Sequence, residues 1–240
     1  MGHILVTGSS RGIGRAALTA LARRGANVIG HASRAAAQGS GATFIAADFG
    51  DPLGPQVLWE RALEVAGGEI DVVVNNAGRF EANGLDRSDI EWLDGWEDTL
   101  RVNLTSAAQL SRFAVRHWQA RGVGGRLIHV ASRAAYRGDS PAHWHYAAAK
   151  SGMVGMHKTI ARAYAKQGIL SFAVTPGFTD TSMADDYLAS RGGPGLLADI
   201  PLGRVATPDE IAAIIAFCAL DAPPSMTGAV IDANGASFVR

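Results

Sequence analysis

Short runs of apolar and β-branched residues recur along the chain, separated by longer stretches with a helical period. The runs predict strands over 4–7, 28–31, 43–46, 72–75, 127–131, 170–175 and 230–233. Each run is apolar throughout, with no alternation of apolar and polar positions, so the strands are expected to be covered on both faces, as in a parallel sheet. Apolar positions spaced three and four apart predict helices over 13–24, 56–65, 96–119 and 146–165, the first closed by Gly25. Strands alternating with helices define an α/β chain, a single-domain Rossmann-type doubly wound parallel sheet of about seven strands with helices on both faces. Between Ala32 and Ala42 the run Gly39, Ser40, Gly41 leaves little room for a crossover helix, which is expected to be shortened or lost. No repeat, low-complexity tract or linker interrupts the pattern, so one domain is expected over 1–240.

The first strand runs into TGSSRGIG at 7–14 and then directly into a helix. Gly8, Gly12 and Gly14 let backbone approach a bound group, and the helix start turns free N–H groups and a positive dipole end toward it. A phosphate or pyrophosphate is expected there. The spacing G-x-x-x-G-x-G differs from the dinucleotide fingerprint G-x-G-x-x-G, and no Gly-Lys-Ser/Thr follows, which argues against a triphosphatase loop.

Composition narrows the function classes. The 240 residues are 48% hydrophobic, and 22 Lys and Arg balance 22 Asp and Glu. No overall field favours nucleic acid or an anionic membrane. No segment has the apolar length to span a bilayer, and no basic region followed by an apolar core opens the chain, so a cytoplasmic protein is expected. Cys218, the lone cysteine, lies in an apolar helical run and reads as a buried structural thiol.

At the end of the second strand a nicotinamide-binding fold commonly places an acid for the adenosine ribose; here the chain reads His31, Ala32, Ser33, Arg34. Ser33 and Arg34, with Arg11 in the glycine loop, offer hydroxyl and cationic groups suited to a 2′-phosphate, which favours NADP(H), with NAD(H) as the alternative. Asp48 and Phe49 follow the third strand, where an adenine could be flanked.

TGSSRGIG, NNAG at 75–78, Asn103 in RVNL, Ser132 in HVAS, YAAAK at 146–150 and PGFTDT at 176–181 stand in the order found in short-chain dehydrogenases/reductases. The chain resembles that family over about 4–235. It is most similar to the 3-oxoacyl-carrier-protein reductase-like members, including the tails IPLGRVATPDEIA and MTGAVIDANG. The chemistry also stands on the residues. Tyr146 and Lys150 lie four apart on one helix face, where a cation is expected to lower the phenol's pKa from about 10 and fit it for acid/base work. Ser132 follows a strand at the sheet's carboxyl edge and can donate to a substrate oxygen as charge develops there. A nucleophilic serine would need an elbow motif and a base, which A-S-R does not supply.

The resemblance implies hydride transfer between NADP(H) and a carbonyl or secondary alcohol, without a metal. It implies catalytic roles for Asn103, Ser132, Tyr146 and Lys150, Asn103 holding a water that relays protons through Lys150. It places the cofactor along Gly8, Ser9, Ser10, Arg11, Gly12, Ile13 and Gly14, along Asn76, Ala77 and Gly78, and along Pro176, Gly177, Thr179 and Thr181. The four-residue Tyr-to-Lys interval favours carbonyl over carbon–carbon double-bond reduction, because the related enoyl reductases have a longer one. Ser132 to Tyr146 is one residue longer than the commonest family interval, so a bulged loop is expected.

Phe80, Tyr136, Trp144 and Met183 are candidates for an aromatic substrate pocket, and His143 and His145 for loop residues facing solvent. Residues 179–204 have the length and glycine content of a lid. Gly152, Gly155 and many alanines give the 146–165 helix a smooth packing face. The resemblance implies a homotetramer, with a dimer as the next expectation, and a small-molecule carbonyl or alcohol partner. Two rivals remain: an NAD(H)-dependent sugar or polyol dehydrogenase, and a catalytically idle nucleotide-binding regulatory protein. The intact Asn, Ser, Tyr and Lys set speaks against the second.

Overall fold

Alternate residues of each strand bury themselves in two different layers, and this organises the molecule. In β1 (His3–Val6), Ile4 and Val6 pack on one side of the sheet and Leu5 on the other; in β5 (Gly125–Val130), Ile128 and Leu127 divide in the same way. The computed structural model describes residues 2–34, 42–180 and 193–240. Its remaining strands are β2 (Asn27–Ala32), β3 (Thr43–Ala46), β4 (Ile70–Asn75), β6 (Ile169–Pro176) and β7 (Val230–Ala233). They form one parallel seven-stranded sheet in the order β3-β2-β1-β4-β5-β6-β7. All seven predicted strands are present, and because both faces are covered the continuous apolar runs are accounted for.

One layer is built by α1 (Gly12–Arg23) and α8 (Pro208–Leu220), which pack on each other. The other holds α2 (Gly54–Val65), α4 (Ser106–Arg121) and α6 (Trp144–Tyr164), with Trp118 buried and its indole donating to Ile70 O at 2.7 Å. Cys218 is buried in α8, and burial raises its thiol to about 11, so it stays protonated. Two short helices are α5 (Ala134–Arg137) and α7 (Gly193–Ala198).

The predicted single helix over 96–119 is instead α3 (Asp89–Leu100), a π-helical turn over Arg101–Thr105, and α4. Helix α3 begins early because Ser88 and Glu91 form a reciprocal capping box. The expectation of a shortened helix after β2 falls on 35–41, and much of the expected lid on 181–192; both stretches lie outside the described residues.

The sheet order reverses at β1, with β2 and β3 on one side and β4 to β7 on the other. A crevice at the carboxyl ends of β1 and β4 follows from this topology, and it is where a doubly wound sheet takes its ligand.

Candidate active site

A cleft of about 380 Å³ opens at that switch point and runs from the glycine loop to Tyr146. Its near end is lined by Gly8, Ser10, Arg11, Gly12, Ile13 and Gly14, its floor by Asn76, Ala77 and Gly78, and its far end by Ser132, Tyr146, Lys150, Pro176, Gly177 and Thr179. His31, Ser33, Asp48 and Phe49 close the side where an adenosine would lie.

The glycine loop is held from below. Thr7 Oγ1 accepts the backbone N–H groups of Asn76 and Ala77, both at 2.9 Å, and the Asn76 amide donates to Thr7 O and Gly8 O at 2.9 and 3.1 Å. Gly8 has φ +61°, and a Cβ there would meet the Ala77 Cα at 2.7 Å; a Cβ at Gly14 would overlap the Gly8 carbonyl oxygen. Glycine at these positions lets the loop pack directly on the 76–77 turn and on the start of α1, whose N-terminal N–H groups and dipole suit a dinucleotide pyrophosphate.

Ser9 and Arg34 depart from their expected places. Ser9 is fully buried, with its hydroxyl donating to Val6 O at 3.0 Å and accepting from the His31 N–H at 2.9 Å, so it supports the loop from beneath. Arg34 is exposed and does not line the cleft, whereas Ser33 does.

At the reacting end, Ser132 and Tyr146 both line the cleft, with the serine hydroxyl near enough to the phenol to lower its pKa. Lys150 donates to Val130 O at 2.8 Å, and its ammonium lies 5.7 Å from the centre of the Tyr146 ring. The expectation that Lys150 lowers the phenol's pKa is corrected here. Burial pushes Tyr146 up to about 12 and outweighs the lowering effect of the Ser132 hydroxyl, while the charge of Asp139 raises it further. Lys150 is itself brought down to about 8 by burial. One donor of the lysine's ammonium is held by the strand carbonyl of Val130.

Asn103 is fully buried at the centre of the π turn, not on a solvated helix face. Its side chain is used on both sides: Oδ1 accepts the Arg79 N–H at 2.8 Å and Nδ2 donates to Arg79 O at 2.9 Å. The amide thus ties the loop after β4 to the helix. A Cβ on Gly78 would stand 3.3 Å from Asn103 Oδ1 and 3.7 Å from Lys150 Nζ, which brings loop, asparagine and lysine together.

Of the substrate-pocket candidates, Phe80 lines the cleft, edge-on to Tyr146 at 4.7 Å between ring centres and stacked on His143 at 4.0 Å. Trp144 points away: it is 53% exposed and sits edge-on to Trp92, because residues two apart on a helix do not share a face and Tyr146 faces the cleft. Tyr136 stacks on Phe238 at 5.6 Å beneath the Arg240 guanidinium, outside the cleft lining. His143 and His145 are buried, not loop residues in solvent. Thr181 and Met183 lie outside the described residues. The lining also includes Arg79, Glu81, Val102, Asp139 and Phe178, which the sequence did not single out. Phe178 stood inside a recognised motif, so a signal existed for it; Asp139 lay in a loop of unknown course.

A parallel sheet with a phosphate cradle at its switch point and a Ser-Tyr-Lys group at the far end of the same cleft defines a dinucleotide-linked oxidoreductase. The chain belongs to the short-chain dehydrogenase/reductase family: the family described as Enoyl-(Acyl carrier protein) reductase matches residues 8–235. It is 37% identical over 246 residues to the 3-oxoacyl-[acyl-carrier-protein] reductase FabG of Escherichia coli (strain K12), covering 98% of this chain and 96% of that protein. The FabG of Haemophilus influenzae is also 37% identical, with coverage of 98% and 97%. Among solved structures, a protein assigned as a 2-deoxy-d-gluconate 3-dehydrogenase from Agrobacterium tumefaciens, with bound NADP, has a TM-score of 0.87 at 28% identity, covering 100% of this chain and 97% of that one. One assigned as an NAD(P)-dependent gluconate 5-dehydrogenase from Beutenbergia cavernae, also with NADP, has a TM-score of 0.88 at 30% identity, with coverage of 98% and 95%.

Proposed function

We propose that the protein is an NADP(H)-dependent carbonyl reductase, or secondary-alcohol dehydrogenase in reverse, with Ser132, Tyr146, Lys150 and Asn103 as its working residues. The observation that carries this reading is one continuous cleft with the glycine loop at one end and Ser132, Tyr146 and Lys150 together at the other. The nicotinamide, when bound, exchanges a hydride with the carbonyl carbon. Tyr146, protonated at neutral pH, gives its proton to the carbonyl oxygen. Ser132 donates to that same oxygen and fixes its position, and Lys150 holds a positive charge close to the developing anion. Asn103 keeps the loop after β4 and the helix in register beside Lys150.

Ser33, the absence of an acid at the end of β2 and the NADP in both structural neighbours support NADP(H) over NAD(H). The FabG relatives support a 3-oxoacyl thioester or another ketone as substrate. A second reading, a sugar or polyol dehydrogenase, is favoured by the charged residues Asp139, Glu81 and Arg79 beside Phe80 and Phe178. Oxidation of NADPH against a panel of 3-oxoacyl thioesters, aromatic ketones and keto sugars separates the two. Ser132→Ala should lower kcat by about 10²–10³ on the preferred substrate; tight NADPH binding without turnover on any member would instead point to the regulatory alternative.

A homotetramer is proposed as the working assembly. On α6, a Cβ at Gly155 would meet nothing within 4 Å, and Ile90 and Leu93 of α3 are 75% and 50% exposed, so both helices present surface that a neighbour could cover. A monomer at micromolar concentration in light scattering would overturn this.

A further inference from the structure

His31 is 2% exposed, yet its imidazole joins three separate elements. Nδ1 lies 3.0 Å from the Gly8 amide nitrogen in the glycine loop, and Nε2 lies 2.8 Å from the carbonyl oxygen of Ala47, just past β3. The ring also stacks on Phe49, with centres 4.2 Å apart and planes 15° from parallel. An amide N–H can only donate and a carbonyl can only accept, so the two contacts assign the tautomer: Nδ1 is bare and Nε2 carries the proton. The ring is neutral as the cleft is built. Burial holds its pKa below the usual imidazole value, while the carboxylate of Asp48, one residue past Ala47, acts in the opposite sense. The other charged groups on the packed segments are Arg11 of the glycine loop and Arg34 beyond β2, both exposed.

We infer that neutral His31 is a positioning residue that holds the glycine loop in its dinucleotide-binding shape, and that protonating it releases the cofactor. This rests on the dinucleotide reading proposed above. A proton on Nδ1 would set one N–H against another. Gly8 cannot turn its amide away, because it is wedged at φ +61° against Ala77 and its carbonyl is held by Asn76 from the other side. Nor can the ring move freely, since Ala47 and Phe49 hold it. The loop itself must shift, and its N–H groups then leave the positions from which they would face a pyrophosphate. By linkage, a bound dinucleotide makes His31 harder to protonate by the same factor.

The test is the dissociation constant of NADH and of NADPH between pH 8 and pH 5 for the wild-type protein and for His31→Asn, whose Oδ1 can accept from Gly8 but does not titrate in this range. NADH reports the protein alone, because the 2′-phosphate of NADPH titrates near pH 6 as phosphate monoesters do. The wild-type constant for NADH is expected to rise as pH falls toward 5.0, more steeply the lower the pH, and that of His31→Asn to stay within about twofold over the same range. Melting curves at each pH establish that the chain is still folded. An unchanging wild-type constant, or the same rise in both proteins, overturns the inference while leaving the cofactor reading intact. Failure of both dinucleotides to bind at pH 8 overturns the cofactor reading and the inference together. Should His31→Asn not fold, carbon-13 histidine spectra of the wild-type protein decide: a His31 signal that stays neutral while affinity is lost overturns the inference, and one that titrates with it bears it out.

Discussion

Tyr146 and Lys150 are driven apart in acidity by the same cause, since burial raises the phenol to about 12 and lowers the ammonium to about 8. The tyrosine is therefore a loaded acid at neutral pH, the state reduction needs, and the lysine is the group that titrates near working conditions. Lys150 is charged below pH 8 and neutral above it, so reductive kcat/KM should hold steady up to about pH 8 and fall beyond it. A pH–rate profile checks this, and Lys150→Met should lack the falling limb. Tyr146→Phe should lower kcat by about 10²–10⁴ while NADPH binding still saturates. Residue types and spacing made this pair legible in the sequence, because four residues on a helix fix a shared face. What spacing could not show was how deeply the pair is buried, and it is burial that reverses the expected sign of the shift on the phenol.

Elements with burial on both faces announced themselves; the helices opened by capping boxes at Ser88 and Thr207, and the single irregular turn between α3 and α4, did not. The strands were readable because each is apolar along its whole length, and α1 was readable from its glycine start and its stop at Gly25. The π turn around Asn103 has no sequence signature, since it exists to seat one polar side chain against the Arg79 backbone. Asn103→Ala removes two hydrogen bonds and leaves buried backbone groups unpaired. Urea unfolding should register a loss of about 2 kcal/mol, with turnover reduced as the loop after β4 loosens. Trp144 and Tyr136 were misplaced for a related reason: which way a side chain turns at a helix start or beside a loop depends on neighbours distant in sequence, here Trp92 and Phe238.

Across the whole molecule, histidines shut away as neutral rings make folding sensitive to acid. His31, His129 and His157 are buried and all three have lowered pKa values, His129 down to about 3, with burial the largest cause in each. Above about pH 6.5 neither folded nor unfolded chain protonates them, and stability is unaffected. Below it the unfolded chain takes up protons that the folded chain refuses, so stability falls as pH falls. His129 alone should cost about 1.4 kcal/mol per pH unit from about pH 6.5 downward. Denaturant midpoints between pH 7.5 and 5.0 measure this, and His129→Leu should flatten the curve. Fold class and switch-point crevice were legible at this scale because they follow from strand order and coverage. The buried histidine pair was not, since His129 and His157 lie 28 positions apart and meet only when α6 packs on β5.

A π turn holds one residue more than the α-helical turn that would replace it, so the segment Arg101–Thr105 takes up an extra residue between α3 and α4 while both helices keep their bearing on the sheet. Deleting one residue there would close the segment into a regular helix and leave the flanking faces where they are. What would be lost is the widened turn that seats Asn103 against the Arg79 backbone. Deletion of exposed Thr105 should accordingly leave a folded chain with reduced turnover, where substitution at the same position is harmless, so one surplus residue of backbone serves the loop after β4 without serving the core.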